Sequence, residues 1–67
     1  MDGLDDLLTT AEVAAIIRAP ASTLRYWRHR GIGPESFNLG RRVVYRQSAV
    51  DAWIESQQAA TARGGAA

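Results

Sequence analysis

A run of polar and basic side chains between Ala21 and Gly31 recurs at helical spacing. On a helix of 3.6 residues per turn these side chains share one face, while Leu24 and Trp27 lie on the other. The guanidinium group of arginine binds phosphate and takes the O6 and N7 atoms of guanine bidentately, so this face suits contact with nucleic acid. Its members at i, i+3, i+4 and i+7 are Ser22, Arg25, Tyr26 and His29.

We predict that Arg25 and Arg28 contact DNA, because both project from a helix of the kind that enters the major groove. Arg18 and Arg30 flank the same helix and are additional candidates for phosphate contacts. The predicted DNA-binding residues of this helix are Ser22, Thr23, Arg25, Tyr26, Arg28 and His29.

Some of these residues, and the two tryptophans, also have a purely structural interpretation. Ser22 and Thr23 suit capping and packing in the first helical turn. His29 suits a helix end, where the helix dipole stabilises a cation. Trp27 and Trp53 lie in apolar helical stripes, and we expect them to pack in the core rather than stack on bases.

The basic residues concentrate in the middle of the chain. The formal net charge is +1, which is too small by itself to indicate a nucleic-acid partner. Between Arg18 and Arg46, however, there are seven arginines and one acidic residue, Glu35, for a net charge of +6. A basic surface that is simply solvated is the alternative interpretation.

The composition argues against several other classes of protein. Without cysteine and with a single histidine, the sequence predicts no disulfide framework, no metal site and no cofactor. No base is paired with a nucleophile and no glycine-rich phosphate loop is present, so we predict no enzymatic activity. The sequence has no long apolar run and no basic leader followed by an apolar stretch, which predicts a cytoplasmic protein without a membrane partner.

Two helices that meet at a tight turn are predicted before the hairpin. The segment Thr9-Thr10-Ala11-Glu12 has the pattern of a capping box and starts a helix that runs to about Ile17. Pro20 cannot continue that helix but suits the start of the next one, which Gly31 ends. This is the helix-turn-helix arrangement, whose second helix can enter the major groove of DNA. The predicted buried stripe of the first helix is Val13, Ile16 and Ile17.

A small hairpin and a third helix follow. Segments 36–39 and 42–46 are rich in β-prone residues and flank Gly40-Arg41, which predicts two strands with arginines at the tip. Ser48 is predicted to cap a helix from Ala49 to about Ala59. The candidates for contact between the hairpin and the helices are Phe37, Leu39, Val44 and Tyr45. The apolar stripe of the last helix is Val50, Trp53 and Ile54.

The segment Ser22-Thr23-Leu24-Arg25-Tyr26-Trp27-Arg28-His29-Arg30-Gly31 resembles the recognition-helix segment of MerR-type winged helix-turn-helix proteins. The layout resembles the small phage excisionase branch of that group over roughly residues 7–56. The resemblance implies that the second helix lies in the major groove and that the hairpin, or wing, touches the flanking backbone or the minor groove. The other supporting motifs are Leu8-Thr9-Thr10-Ala11-Glu12-Val13-Ala14, Gly33-Pro34 and Val50-Asp51-Ala52-Trp53.

The resemblance implies a mainly α fold with a small β-hairpin, a winged helix-turn-helix of order α-α-β-β-α. Residues 8–59 are expected to form this domain, after a flexible acidic N-terminus of residues 1–7 and before a disordered tail of residues 60–67. Two positions depart from the family's usual pattern. A Gly–hydrophobe–Ser turn is common where this chain has Arg18-Ala19-Pro20, and a wing arginine is frequent where it has Val44. The predicted wing contacts are therefore Arg41, Arg42 and Arg46.

The sequence favours a sequence-specific protein that binds double-stranded DNA. The resemblance implies an excisionase-like recombination directionality factor that binds repeated sites and shapes DNA for a phage-type site-specific integrase. We also expect cooperative self-association on the DNA, because the footprint of a single module is too small for high specificity. No small-molecule effector is expected, because the dimerisation helix and effector domain of MerR-type sensors do not follow the module. The alternatives are a small transcriptional repressor or regulator of the same fold, and a protein-interaction adaptor that does not read DNA.

Overall fold

Three helices and a three-stranded antiparallel sheet form the part of the chain that the structure describes. The structure is a computed structural model and describes residues 6–64; residues 1–5 and 65–67 lie outside it. The predicted fold class, a mainly helical winged helix-turn-helix with a small hairpin, is confirmed, and one further strand precedes the first helix. The elements in chain order are β1 (Leu7–Thr9), α1 (Thr10–Ile17), α2 (Ala21–Arg30), β2 (Phe37–Leu39), β3 (Arg42–Arg46) and α3 (Gln47–Thr61).

The first helix begins at the predicted capping box. The Glu12 amide donates to Thr9 Oγ1 at 3.1 Å, and the Thr9 amide donates to Glu12 Oε1 at 2.8 Å. This reciprocal pair satisfies two backbone donors that a helix start otherwise leaves without partners. The predicted buried stripe is only partly correct. Val13 is fully buried and Ile17 packs against the core. Ile16 is 42% exposed, because Ile16 and Ile17 lie on opposite flanks of Val13 and only the flank of Ile17 faces the core.

The turn between α1 and α2 falls at the predicted break. Arg18 ends α1 in the left-handed conformation, with φ 62° and ψ 44°, and it is the one residue other than glycine with positive φ in the described range. The amides of Arg18 and Ala19 both donate to the Ala14 carbonyl. Pro20 then caps α2, and its carbonyl accepts from the Thr23 amide at 3.0 Å. Three residues, 18–20, thus connect the two helices.

The sheet has β3 at its centre, with β1 and β2 both paired antiparallel to it. The predicted hairpin of β2 and β3 is present, and Leu39 pairs with Arg42 across a two-residue turn. The strand β1 was not predicted. Leu7 was assigned to the flexible acidic N-terminus, but it pairs with Arg46; the rest of that segment, residues 1–5, lies outside the described residues. Three residues are too few to show the alternating pattern by which a strand is recognised in a sequence.

The core consists of four side chains that are at most 1% exposed, and each comes from a different element. The partly buried Val43 packs against them. Successive side chains of a strand point to opposite faces of the sheet, so Val43 and Tyr45 face the helices while Val44 faces away. The four buried side chains are Val13 from α1, Leu24 from α2, Tyr45 from β3 and Val50 from α3.

Most of the predicted contacts between hairpin and helices were wrong, because the strands present the other face. Phe37 pairs with Val44 and therefore lies on the face that points away from the helices. Leu39 is on the same face and is 48% exposed. Among the predicted candidates only Tyr45 joins the buried cluster with the helices, while Val44 is also buried, at 7% exposed, but on the other face. A one-residue difference in strand phase exchanges the two faces completely, and two short strands do not reveal that phase.

The last helix is longer at both ends than predicted. It runs from Gln47 to Thr61, and its N-cap is Arg46 rather than Ser48, which lies inside the first turn. The Gln47 amide donates to the Asp6 carbonyl at 3.0 Å, so the helix start receives a backbone partner from the segment before β1. At the other end, residues 60 and 61 of the expected disordered tail are helical, and residues 65–67 lie outside the described part.

Trp27 and Trp53, which were predicted to pack in the core, pack against each other. Their ring centroids are 5.4 Å apart and the rings are inclined by 45°. Both tryptophans are half-buried, and Trp27 also contacts the core. The loop after α2 closes over the ring of Trp27 at Gly33, which has φ 82°. A Cβ atom at Gly33 would lie 3.0 Å from both Cβ and Cε3 of Trp27, so a larger residue would require Trp27 to shift by a few tenths of an ångström.

We expect Gly33→Ala to destabilise the domain by about 2–4 kcal/mol, since it combines a positive φ with a tight approach to Trp27 that the packed ring would have to relieve. A domain of this size has about 3–5 kcal/mol of net stability, so much of the variant should be unfolded at 25 °C. Urea denaturation followed by tryptophan fluorescence measures the difference.

Gly31→Ala is the matched control for this change. Gly31 has φ 73°, but a Cβ atom there would meet nothing within 4 Å. It should therefore lose only about 1–2 kcal/mol from the backbone conformation. Equal losses in the two variants would show that the contact with Trp27 contributes nothing.

Candidate nucleic-acid interface

The helix α2 is anchored by one face and leaves the other open. Leu24 is 1% exposed in the core, and Trp27, one turn later, is held between the core and Trp53. At its C-terminal end, Gly31 adopts the left-handed conformation and its amide donates to the Arg28 carbonyl at 3.1 Å. Both ends of α2 are therefore fixed, which gives its outward face a defined orientation.

The predicted polar face of α2 is on the outside of the molecule. Tyr26 is 55% exposed, and Thr23, which is half-buried, lies toward the packed side. The side chains at i, i+3, i+4 and i+7 thus form one continuous accessible surface. Its other exposed members are Ser22, Arg25 and His29, and Arg28 is exposed on the flank of the helix beside this surface.

Tyr26 and Arg30 are joined directly, which the sequence analysis did not predict. Arg30 Nη1 donates to the Tyr26 hydroxyl at 2.7 Å, and the guanidinium carbon lies 5.7 Å from the centre of the tyrosine ring. The spacing i, i+4 places two side chains beside each other on a helix surface, so the sequence contained the signal. It was missed because Arg30 was considered by its charge alone.

Arg28 borders an open pocket beneath the loop that follows α2. The pocket is lined by Arg28 and residues 31–36, which include Glu35, the acidic residue within the basic segment. Arg28 therefore lies on the flank of α2 that faces this loop.

The hairpin presents two of its three arginines at the tip. Gly40 has φ 61° and Arg41 has no positive φ, which is the pattern of a type II′ turn. Arg41 and Arg42 are exposed beside it. Arg46 is at the other end of β3, about 13 Å away at 3.3 Å per residue, and its guanidinium carbon lies 5.5 Å from the centre of the Phe37 ring. The structure therefore brings Arg41 and Arg42 together and separates Arg46 from them.

The remaining predicted contact, Arg18, is exposed at the turn between α1 and α2. Its position is set by the left-handed backbone at that turn and not by any helix face. Within residues 6–64 no group of histidine and carboxylate side chains could hold a metal ion. No helix in the same range is long and apolar enough to cross a membrane.

Comparison with protein families gives one finding that bears on this surface. A family model described as a helix-turn-helix domain matches residues 7–58. The match begins at β1 and ends within α3, so it includes the turn at Arg18, all of α2 and the hairpin. Comparisons with curated proteins and with solved structures give no match for this chain.

We expect Arg18→Gly to raise the free energy of unfolding by about 1 kcal/mol, because glycine adopts the left-handed conformation without a steric cost. Chemical denaturation measures this gain. Arg18→Ala is the control, since it removes the charge but keeps the strained backbone, and its stability should stay near that of the wild type.

Together these two variants separate the role of the turn from the role of the charge. If the Arg18 guanidinium contacts phosphate, both variants should bind DNA equally weakly although they differ in stability. A glycine variant that is no more stable than the alanine variant would contradict the cost assigned to the left-handed residue.

Proposed function

This chain belongs to the helix-turn-helix family, a group of DNA-binding domains, and we propose that it binds double-stranded DNA sequence-specifically with α2 in the major groove. The observation that carries the proposal is the exposed polar face of a helix whose opposite face is fixed by Leu24 and Trp27. A rigid helix with donors on one side is the device by which such domains read base edges.

Within this proposal the arginines divide into two groups. Arg25 and Arg28 project from α2 and contact base edges or nearby phosphates, with Ser22, Thr23, Tyr26 and His29 around them. Arg41 and Arg42, at the hairpin tip, contact phosphate or the minor groove beside the site. Three further arginines lie outside these two groups and contact phosphate, namely Arg18, Arg30 and Arg46.

The finer role that we propose is that of an excisionase-like recombination directionality factor of MerR-type ancestry, encoded by a phage or prophage. It binds repeated sites and shapes the DNA for a site-specific integrase. The resemblance of residues 22–31 to MerR-type recognition helices supports this role. A transcriptional repressor or regulator would use the same surface. The two roles differ in their effect, since a directionality factor alters recombination at its site and a regulator alters transcription there.

A protein-interaction adaptor is the second candidate, and one observation favours it. Leu7 and Leu39 lie on the sheet face that points away from the helices, and they are 44% and 48% exposed. Exposed apolar side chains on one surface are typical of contacts with other proteins. If the protein showed no salt-dependent binding to duplex DNA, this second function would be favoured over the first.

Titration with duplex DNA over a range of monovalent salt tests the proposed function. If about four to six phosphates are neutralised, the logarithm of the binding constant should fall with the logarithm of salt concentration at a slope of about −4 to −5. A slope near zero would exclude the proposed mode of binding.

The same titration, on cognate and scrambled duplexes, should separate the two groups of arginines. Arg25→Ala or Arg28→Ala should cost about 1–3 kcal/mol on the cognate duplex and less on the scrambled one, because base contacts are lost. Arg41→Ala or Arg42→Ala should weaken binding to both duplexes similarly and reduce the salt slope by about one. Selective loss of cognate binding in the hairpin variants alone would assign sequence readout to the hairpin.

We also expect several copies to bind adjacent repeats, since a single module covers only about 600–1,000 Å² and discriminates weakly between sites. Footprinting on duplexes with one and with two adjacent sites measures this directly. Occupancy of the first site should rise when the second is present. Identical protection of the first site on the two duplexes would argue against cooperative self-association.

A further inference from the structure

We propose that Tyr26 positions Arg30, so that the two side chains together form a preformed site for one phosphate of the DNA backbone. This inference rests on the proposed DNA binding. It goes beyond that proposal by naming a pair of residues that act as a unit, in which the tyrosine works through the arginine.

The geometry of the pair is the first argument. Arg30 Nη1 lies 2.7 Å from the Tyr26 hydroxyl oxygen, and the guanidinium carbon lies 5.7 Å from the ring centre. The arginine is thus held by a hydrogen bond and by a cation–π contact at the same time. Both residues are exposed, so the pair is accessible to a ligand.

The donors that remain form the second argument. A guanidinium group has five N–H donors and no acceptor, and only one donor is recorded as engaged with the Tyr26 oxygen. The Tyr26 hydroxyl oxygen accepts that bond and so holds the guanidinium group in place. Among the described residues no carboxylate competes for Arg30. The pair therefore presents several donors and one positive charge, the chemistry that suits a phosphate oxygen.

The cost of ordering an arginine is the third argument. A free arginine side chain loses rotamer freedom when it is fixed against a ligand. Here part of that loss has already occurred in the protein without DNA, because Tyr26 holds the guanidinium group. Preorganisation of this kind increases affinity without adding a contact to the complex.

The position of the pair on α2 favours phosphate over a base edge. In a helix-turn-helix domain, residues near the N-terminal end of the second helix contact the bases. Tyr26 is in the middle of α2, and Arg30 is its last residue. The pair therefore lies toward the end of the helix that leaves the groove, where the backbone is the nearer target.

A double-mutant cycle on duplex DNA tests the inference, with wild type, Tyr26→Phe, Arg30→Ala and the double variant. Tyr26→Phe removes the hydroxyl and keeps the ring, so Kd should rise about three- to tenfold while the salt slope stays unchanged. Arg30→Ala should raise Kd about tenfold or more and reduce the slope by about one. The double variant should match Arg30→Ala, because the tyrosine acts only through the arginine.

Two controls keep the result interpretable. Tyr26→Phe combined with Arg41→Ala should show multiplied effects, since the hairpin tip does not contact Tyr26. Thermal unfolding of each variant should be close to the wild type, because both side chains are exposed.

The outcomes separate this inference from the proposed function. If the wild type bound duplex DNA with the expected salt dependence but the effects of Tyr26→Phe and Arg30→Ala simply multiplied, only the pairing would be overturned. An unchanged Kd in either single variant would overturn it as well. If the wild type did not bind duplex DNA, both the proposed function and the pairing would be rejected.

Discussion

The whole domain depends on the burial of four side chains, one from each of four elements. They form one buried cluster in which each side chain is at most 1% exposed, and they are Val13, Leu24, Tyr45 and Val50. The elements α1, α2, β3 and α3 each contribute one of these side chains, whereas β1 and β2 are held by their pairing with β3. The outward face of α2 is therefore oriented through Leu24, and the hairpin is oriented through Tyr45. A surface formed by two separate elements acquires a fixed shape because both attach to the same small cluster.

The features that could be predicted from the sequence are those encoded by a few consecutive residues. The capping box at Thr9, the break at Pro20 and the glycine that ends α2 each depend on local backbone chemistry, and each is confirmed. The polar face of α2 follows from helical periodicity over ten residues. These signals need no knowledge of the partner against which the element packs.

The features that were missed depend on contacts between distant parts of the chain. β1 is defined by its pairing with β3, and the Gln47 amide at the start of α3 donates to the Asp6 carbonyl. The hairpin faces were assigned in the wrong phase, since only packing of Tyr45 against the helices distinguishes the two sides. The link between Tyr26 and Arg30 is different, because it is local and was overlooked.

The pairing of β1 with the last residues of β3 also bears on the order of folding. Leu7 and Arg46 close a loop that contains α1, α2 and β2. Helical hairpins form through local contacts, whereas such a closure requires the ends of a long segment to meet and is entropically slower. We therefore expect the helix pair to form first and β1 to pair with β3 afterwards. Release of the short edge strand would then loosen the hairpin while α1 and α2 stay together, which makes the wing the natural unit of local opening.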